Sequence, residues 1–258
     1  MSIIGTKSPL MPVVGLVLAG LAYAPLALAQ RAPQTETKPS APAPKRDLTG
    51  VWMLRNPPSM RSYMGASFTK EEPELTPWAL EKYKEAKNSN NGKYTLESTN
   101  DPVITRCYPP GTPRVYFHPY PFEFLKADKY WLMLFEYDHT NRRIYSDGRP
   151  LPSDPDPTWM GSSVGHWIDD YSFVVETVGF NEKTWLDRLG HPHSEQLKVT
   201  ETFRRKDADH LEIDFKFEDP KVFLKPWTAT FYAELRPGWE LGEISCSGDY
   251  MDFSKFEK

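Results

Sequence analysis

Two short stretches of this chain gather residue types that can move protons or hold a ligand. The first is Glu136-Tyr137-Asp138-His139, followed by Arg142 and Arg143. An imidazole changes charge near neutral pH, and a carboxylate or a phenol can act as an acid beside it. A guanidinium can stabilise a developing oxyanion. The second is His191-Pro192-His193. Imidazoles at i and i+2 of an extended segment face one side. With Asp187, Glu201 or His139 they could bind a metal. Two histidines alone do not complete such a site, and His-Glu-x-x-His is absent. Whether a metal binds at His191 and His193 therefore stays open, beside metal-free acid/base work and plain structural hydrogen bonding.

Each candidate has a quieter alternative. Trp131, Met133, Phe135 and Tyr137 share one parity, and Leu132, Leu134 and Glu136 the other. A carboxylate among such residues must be paired, hydrogen-bonded or neutral. Glu136 either faces a ligand or pairs with Arg142 or Arg143 on a neighbouring strand. Neighbours along a strand point oppositely, so Asp138 orients His139 only if a turn intervenes. Trp131, Trp159 and Trp185 can stack on an aromatic ligand or pack a core. Asn181 can contact a ligand or satisfy a turn. His118 reads as a strand end. Cys107 and Cys246 allow a disulfide, two thiols or two separate metal ligands.

Other chemistries are disfavoured. The chain has 258 residues and a net charge of -4, with no concentrated basic surface for nucleic acid. The Gly111 region lacks the glycine run and lysine of a phosphate loop. Ser162-Ser163 is not in a Gly-x-Ser-x-Gly elbow.

The elements that must position these residues are mostly strands. Residues 1–29 read as a signal peptide: an apolar stretch closed by Ala27-Leu28-Ala29, a small-x-small cleavage site. Residues 30–46 read as a disordered, proline-rich leader. Residues 47–258 form a single domain. Thr76-Pro77-Trp78 opens a short helix to about Ala86, with Thr76 as cap and Pro77 at the first helical position. Asp47 to Trp52 reads as a short turn entering a strand, and further strands are expected at 113–118, 121–126, 129–137, 142–146, 163–168, 171–177, 197–205, 209–217, 226–235 and 241–246. In 209–217, Leu211, Ile213, Phe215 and Phe217 alternate with Glu212, Asp214 and Lys216. No βαβ units appear, so consecutive hairpins predict an all-β, antiparallel barrel with long loops in preference to a sandwich.

Several motifs resemble a large group of secreted bacterial proteins. They are Asn100-Asp101-Pro102-Val103, Arg106-Cys107-x-Pro109-Pro110-Gly111-x-Pro113-Arg114, and Leu134 to His139. Trp159-Met160-Gly161, Val178 to Asn181, Thr184 to Asp187 and Gly190 to Ser194 also match, as does Thr200-Glu201-x-Phe203-Arg204-Arg205. The likeness spans roughly residues 47 to 235; Cys246-Ser247-Gly248-Asp249 departs from the Cys-x-Glu-Asn associated with that group. The resemblance implies a lipocalin-like barrel, which Gly50-x-Trp52 also suits. It implies a periplasmic or secreted small-molecule enzyme working without a cofactor on an aromatic or phenolic partner. The reaction implied is carbon–carbon lysis that releases formaldehyde from a lignin-derived dimer. Tyr137, Glu136, His139, Arg142 and His193 would be catalytic, and Trp131, Trp159, Asn181, Trp185 and His191 would hold substrate. The alternatives are a non-catalytic binder of an apolar small molecule and a metal-dependent hydrolase or lyase. With the signal removed, no membrane contact is expected. A homodimer stays open.

Overall fold

The alternation over residues 197–217 builds two adjacent strands whose apolar sides are shut from water. The computed structural model describes residues 40–55 and 66–246; the expected signal peptide and most of the leader lie outside them. Nine strands follow one another round a closed barrel. They are β1 (Gly50–Arg55), β2 (Phe122–Lys126), β3 (Tyr130–Phe135), β4 (Asn141–Tyr145), β5 (Ser162–Trp167), β6 (Ser172–Val178), β7 (Lys198–Arg205), β8 (His210–Glu218) and β9 (Trp227–Leu235). Neighbours pair antiparallel, and β9 closes on β1. The exception is β4–β5, which pair parallel through Ile144–Ser163 and Tyr145–Val164. This departs from the purely antiparallel expectation for a simple reason. Nine strands in a ring cannot alternate direction all the way round. The proline-rich 146–161 connection carries the chain back along the barrel to make the one parallel join.

Two expected strands are not strands. Arg114–Phe117 is a 3-10 turn with all four residues buried. It lacks the in/out alternation of a strand because it plugs the barrel instead of lining it. Residues 241–246 hold a single bridge, Ile244 to Tyr137. The helix α1 (Pro77–Glu85) forms as expected, with the Thr76 hydroxyl accepting from the Ala79 N–H at 3.2 Å. A second short helix, α2 (Pro102–Thr105), is capped by Asp101.

The interior is aromatic. Phe68, from the segment before α1, meets Phe117, Phe215, Phe217, Trp227 and Phe231 at ring separations of 4.4–5.6 Å. Tyr116 packs edge-on against Phe122, Phe135 and Phe215. Each such side chain contributes roughly 1.5–3 kcal/mol when fully buried.

Topology separates the two ends. The tight hairpins 127–129, 168–171 and 206–209 lie at one end. The long connections 66–121, 136–140, 179–197 and 219–226 meet at the other. The last residues of the expected leader are held at the hairpin end. Ser40 Oγ donates to Asp209 at 2.8 Å, the Arg46 N–H donates to the Asp170 carbonyl at 2.7 Å, and Lys45 pairs with Asp170 at 2.8 Å. A proline-rich composition did not reveal those partners, which come from two different hairpins.

Candidate functional site at the loop end of the barrel

The loop end is tied together before any ligand is considered. Cys107 and Cys246 are joined by a disulfide that fastens the segment after β9 to the 66–121 connection. Glu136, one residue beyond β3, accepts from the Gly242 N–H at 2.8 Å. It faces that C-terminal segment and not the interior, and it pairs with neither Arg142 nor Arg143. His191 is a second fastening. Its Nδ1 lies 2.6 Å from Asp187 and its Nε2 lies 2.6 Å from Glu72, with Tyr83 stacked on the ring at 4.3 Å. Burial opposes the imidazolium, but Asp187 and Glu72 outweigh it and push the pKa up to about 9. Asp187 Oδ1 also accepts three backbone N–H groups, from Leu189, Gly190 and His191. With both ring nitrogens engaged by carboxylates, His191 is a clasp of the loop and presents no free nitrogen to a substrate.

Below the mouth lies a buried polar network. Arg142 Nη1 donates to Glu201 Oε1 at 3.0 Å, and Nη2 bonds Oε2. Arg142 Nε donates to Ser163 Oγ at 2.9 Å and Nη2 to Thr177 Oγ1 at 2.6 Å, while the Tyr116 hydroxyl donates to Glu201 Oε1 at 2.8 Å. Burial works against the charge on Arg142, but Glu201 prevails and holds its pKa above the usual arginine value. Burial, then Glu201, pushes the Tyr116 hydroxyl well up. All three nitrogens of the Arg142 guanidinium are thus bonded by the protein, which assigns it to the interior framework and not to a substrate oxyanion.

A different group of side chains is left unsatisfied. Among the described residues, Arg114 Nε and Nη1, His118 Nε2 and His193 Nδ1 are buried nitrogens without a hydrogen-bond partner. Such groups cost about 1–3 kcal/mol each unless something meets them. Three long connections bring their surroundings together. Arg114 ion-pairs through Nη2 with Asp101, and its guanidinium sits 5.6 Å from the Trp185 ring. The His118 ring stacks on Tyr137 at 3.7 Å, and Tyr120 follows on Tyr137 at 5.8 Å. His193 packs edge-on to Phe180 and, with Trp185, Trp78 and Thr184, lines a cavity of about 280 Å³.

The electrostatics show that these groups share one neighbourhood. Burial, then the charges of Arg114 and Arg188, drive His118 well below the ordinary histidine value. Burial lowers His193 as well, Asp219 opposing it in part. Burial and the nearby Asp138 carboxylate push Tyr137 up to about 12. Burial, then Arg114, lowers Arg188. At neutral pH the two histidines and the phenol carry no charge beside the Arg114 and Arg188 guanidinium groups.

Other expected site residues lie elsewhere. His139 is exposed at a positive φ of 48°, in the turn between β3 and β4. Trp131 is 2% exposed near the hairpin end, against Phe124, Trp167 and Phe173, so it belongs to the core. Asn181 uses its side-chain oxygen to accept the Lys183 N–H at 3.0 Å, a turn role. Trp159 sits against Tyr108 and Lys183. Only Tyr137, Trp185 and His193 join the unsatisfied cluster. Arg114, His118 and Arg188 were missed; Arg114 closes a quoted motif, but nothing local to the sequence shows a nitrogen without a partner. Among the described residues no cluster of three or more His, Cys, Asp or Glu side chains is placed to hold a metal ion.

Fold and site define a nine-stranded β-barrel with an aromatic core and a cation-bearing, incompletely satisfied loop end. No family model, curated protein or solved structure matches the chain. No helix among the described residues is long and apolar enough to cross a membrane.

Proposed function

We propose that this barrel binds a small aromatic molecule at its loop end, in the manner of a lipocalin-type carrier. The observation that carries the reading is the four buried nitrogens of Arg114, His118 and His193 that the chain itself leaves unbonded, beside the rings of Trp185 and Tyr137. A polar ligand atom meeting them recovers hydrogen bonds, while the rings supply apolar contact. The disulfide fits an oxidising compartment, in keeping with export to the periplasm or beyond. The test is titration of a phenolic dimer into the folded protein, followed by tryptophan emission and calorimetry. Saturable binding that weakens in Trp185→Ala supports the reading. Heat and emission indistinguishable from buffer sink it.

One observation favours a catalytic second reading, a lyase that frees formaldehyde from such a dimer. His118 is held neutral and its Nε2 is unbonded, which suits a general base. Loss of the benzylic hydroxyl together with the phenol proton, as water, first gives a quinone methide. His118 then takes the primary alcohol proton, the carbon–carbon bond breaks, and its electrons restore the aromatic ring as formaldehyde and a stilbene separate. Here His118 replaces the exposed His139. A formaldehyde assay on wild type and His118→Phe decides it; equal signals from both remove the proposal.

A further inference from the structure

We propose that the loop-end site recognises an anionic oxygen carried on an aromatic ring, a carboxylate or phenolate, seated against Arg114 and Arg188. This rests on the small-molecule reading above and goes on to name the chemical group.

Arg114 is 2% exposed, and two of its three guanidinium nitrogens are unbonded. Its one carboxylate partner, Asp101, is already divided, since Oδ1 caps α2 by accepting the Val103 N–H at 3.0 Å. Arg188 has no ion-pair or hydrogen-bond partner for its guanidinium among the described residues, though its backbone is fixed by the Ala66 carbonyl at 2.8 Å. The other charged groups near the site have partners or neighbours of their own. Asp219, near His193, is used up by Ser194, whose N–H and hydroxyl donate to it at 2.6 and 2.8 Å. Glu182 is engaged by Lys221 and the Glu195 N–H. Asp138 stands in the β3–β4 turn beside Tyr137, bonded through its N–H to Ile244. His118, His193 and Tyr137 contribute no charge. Arg114 and Arg188, close enough that Arg114 disfavours the charge on Arg188, thus share one committed carboxylate, Asp101, while the Asp138 carboxylate acts on Tyr137. A buried cation in that position is costly unless an anion completes it, and charge-assisted hydrogen bonds to a ligand oxygen are about twice as strong as neutral ones. Trp185, already stacked near Arg114, and the His118–Tyr137 pair supply flat surfaces for the attached ring.

The experiment compares four probes on the full folded protein by calorimetry. They are 4-hydroxy-3-methoxybenzoate, its methyl ester, 3,4-dimethoxybenzoate and methyl 3,4-dimethoxybenzoate. The second lacks the carboxylate, the third lacks the phenol and the fourth lacks both. Binding of the first at least tenfold tighter than the fourth is expected, and the middle two show which oxygen is read. Arg188→Gln should cut that discrimination at least fivefold with little change for the fourth probe. Arg114→Gln, made together with Asp101→Asn so that no buried carboxylate is stranded, should do the same. Equal binding of all four probes overturns the anion assignment and leaves the small-molecule reading standing. No binding by any probe overturns the anion assignment, and no binding by the phenolic dimer either overturns both. Should the Arg114 pair of changes prevent folding, Arg188→Gln and the wild-type comparison still decide the matter.

Discussion

Arg142 on β4 and Glu201 on β7 meet across the barrel interior, both essentially without solvent contact, although β5 and β6 separate their strands around the wall. Both carboxylate oxygens bond the guanidinium, and the Tyr116 hydroxyl shares one of them. The pair therefore spans the barrel and anchors the 3-10 plug. Glu201→Gln or Arg142→Met alone should cost about 3–5 kcal/mol, because each strands a buried charge. The double change to methionine should recover much of that loss. Urea denaturation of the three variants checks this; a double variant no more stable than either single one refutes it.

His191 predicts a stability that falls on the alkaline side. Its folded pKa is raised to about 9 from an ordinary 6.5. Below the unfolded value both states carry the proton and the stabilisation is fully present. It declines as pH rises from about 6.5 and is gone above about 9. The wild type should therefore melt lower at pH 9.5 than at pH 6.5, and His191→Gln should flatten that difference. A variant with the same alkaline slope as wild type would assign the slope to other groups.

The Cys107–Cys246 bond closes a loop with a sequence separation of 139 residues. Constraining so long a loop in the unfolded chain stabilises by about 2–5 kcal/mol. Reduction, or Cys107→Ser with Cys246→Ser, should lower the melting temperature and free the 241–246 segment, exposing Glu136 and the Gly242 N–H. Hydrogen exchange at Gly242 and Asp138 reads the second effect directly. Unchanged protection there would show that the segment is held without the bond.

Gly111 sits at a φ of 72° with the backbone of Trp159 directly where a Cβ would project. Gly111→Ala should cost about 1–3 kcal/mol from conformation alone, with crowding against Trp159 added. It should also weaken aromatic ligand binding, because Gly111 accepts the Val115 N–H at 2.8 Å and so sets the turn that carries Arg114. Affinity measured on the residual folded protein tests this; wild-type affinity would mean the turn tolerates the shift.

Much of the wall was legible because its signal is local. Leu211, Ile213, Phe215 and Phe217 announce an inward face by alternation, and all four are buried. Glu201 shares the parity of Val199 and Phe203 and is buried with them; its partner on β4 lies far away in the sequence. The segment 113–118 misled because aromatic and branched residues suit a strand and a buried plug equally. Glu136 meets neither expected alternative, a ligand or an Arg142 or Arg143 pair, because β3 ends at Phe135 and the strand alternation does not extend to it.

The amino-acid order by itself determined where chain turns, where apolar faces recur and where Thr76 with Pro77 starts a helix, since each depends on residues a few positions apart. Only the closed tertiary structure decided that β4 and β5 run parallel, that Arg142 is satisfied while Arg114 is not, and that His118 meets Tyr137. Those outcomes depend on which distant connections share one end of the barrel, and on whether the groups that meet there have enough hydrogen-bond partners to go round.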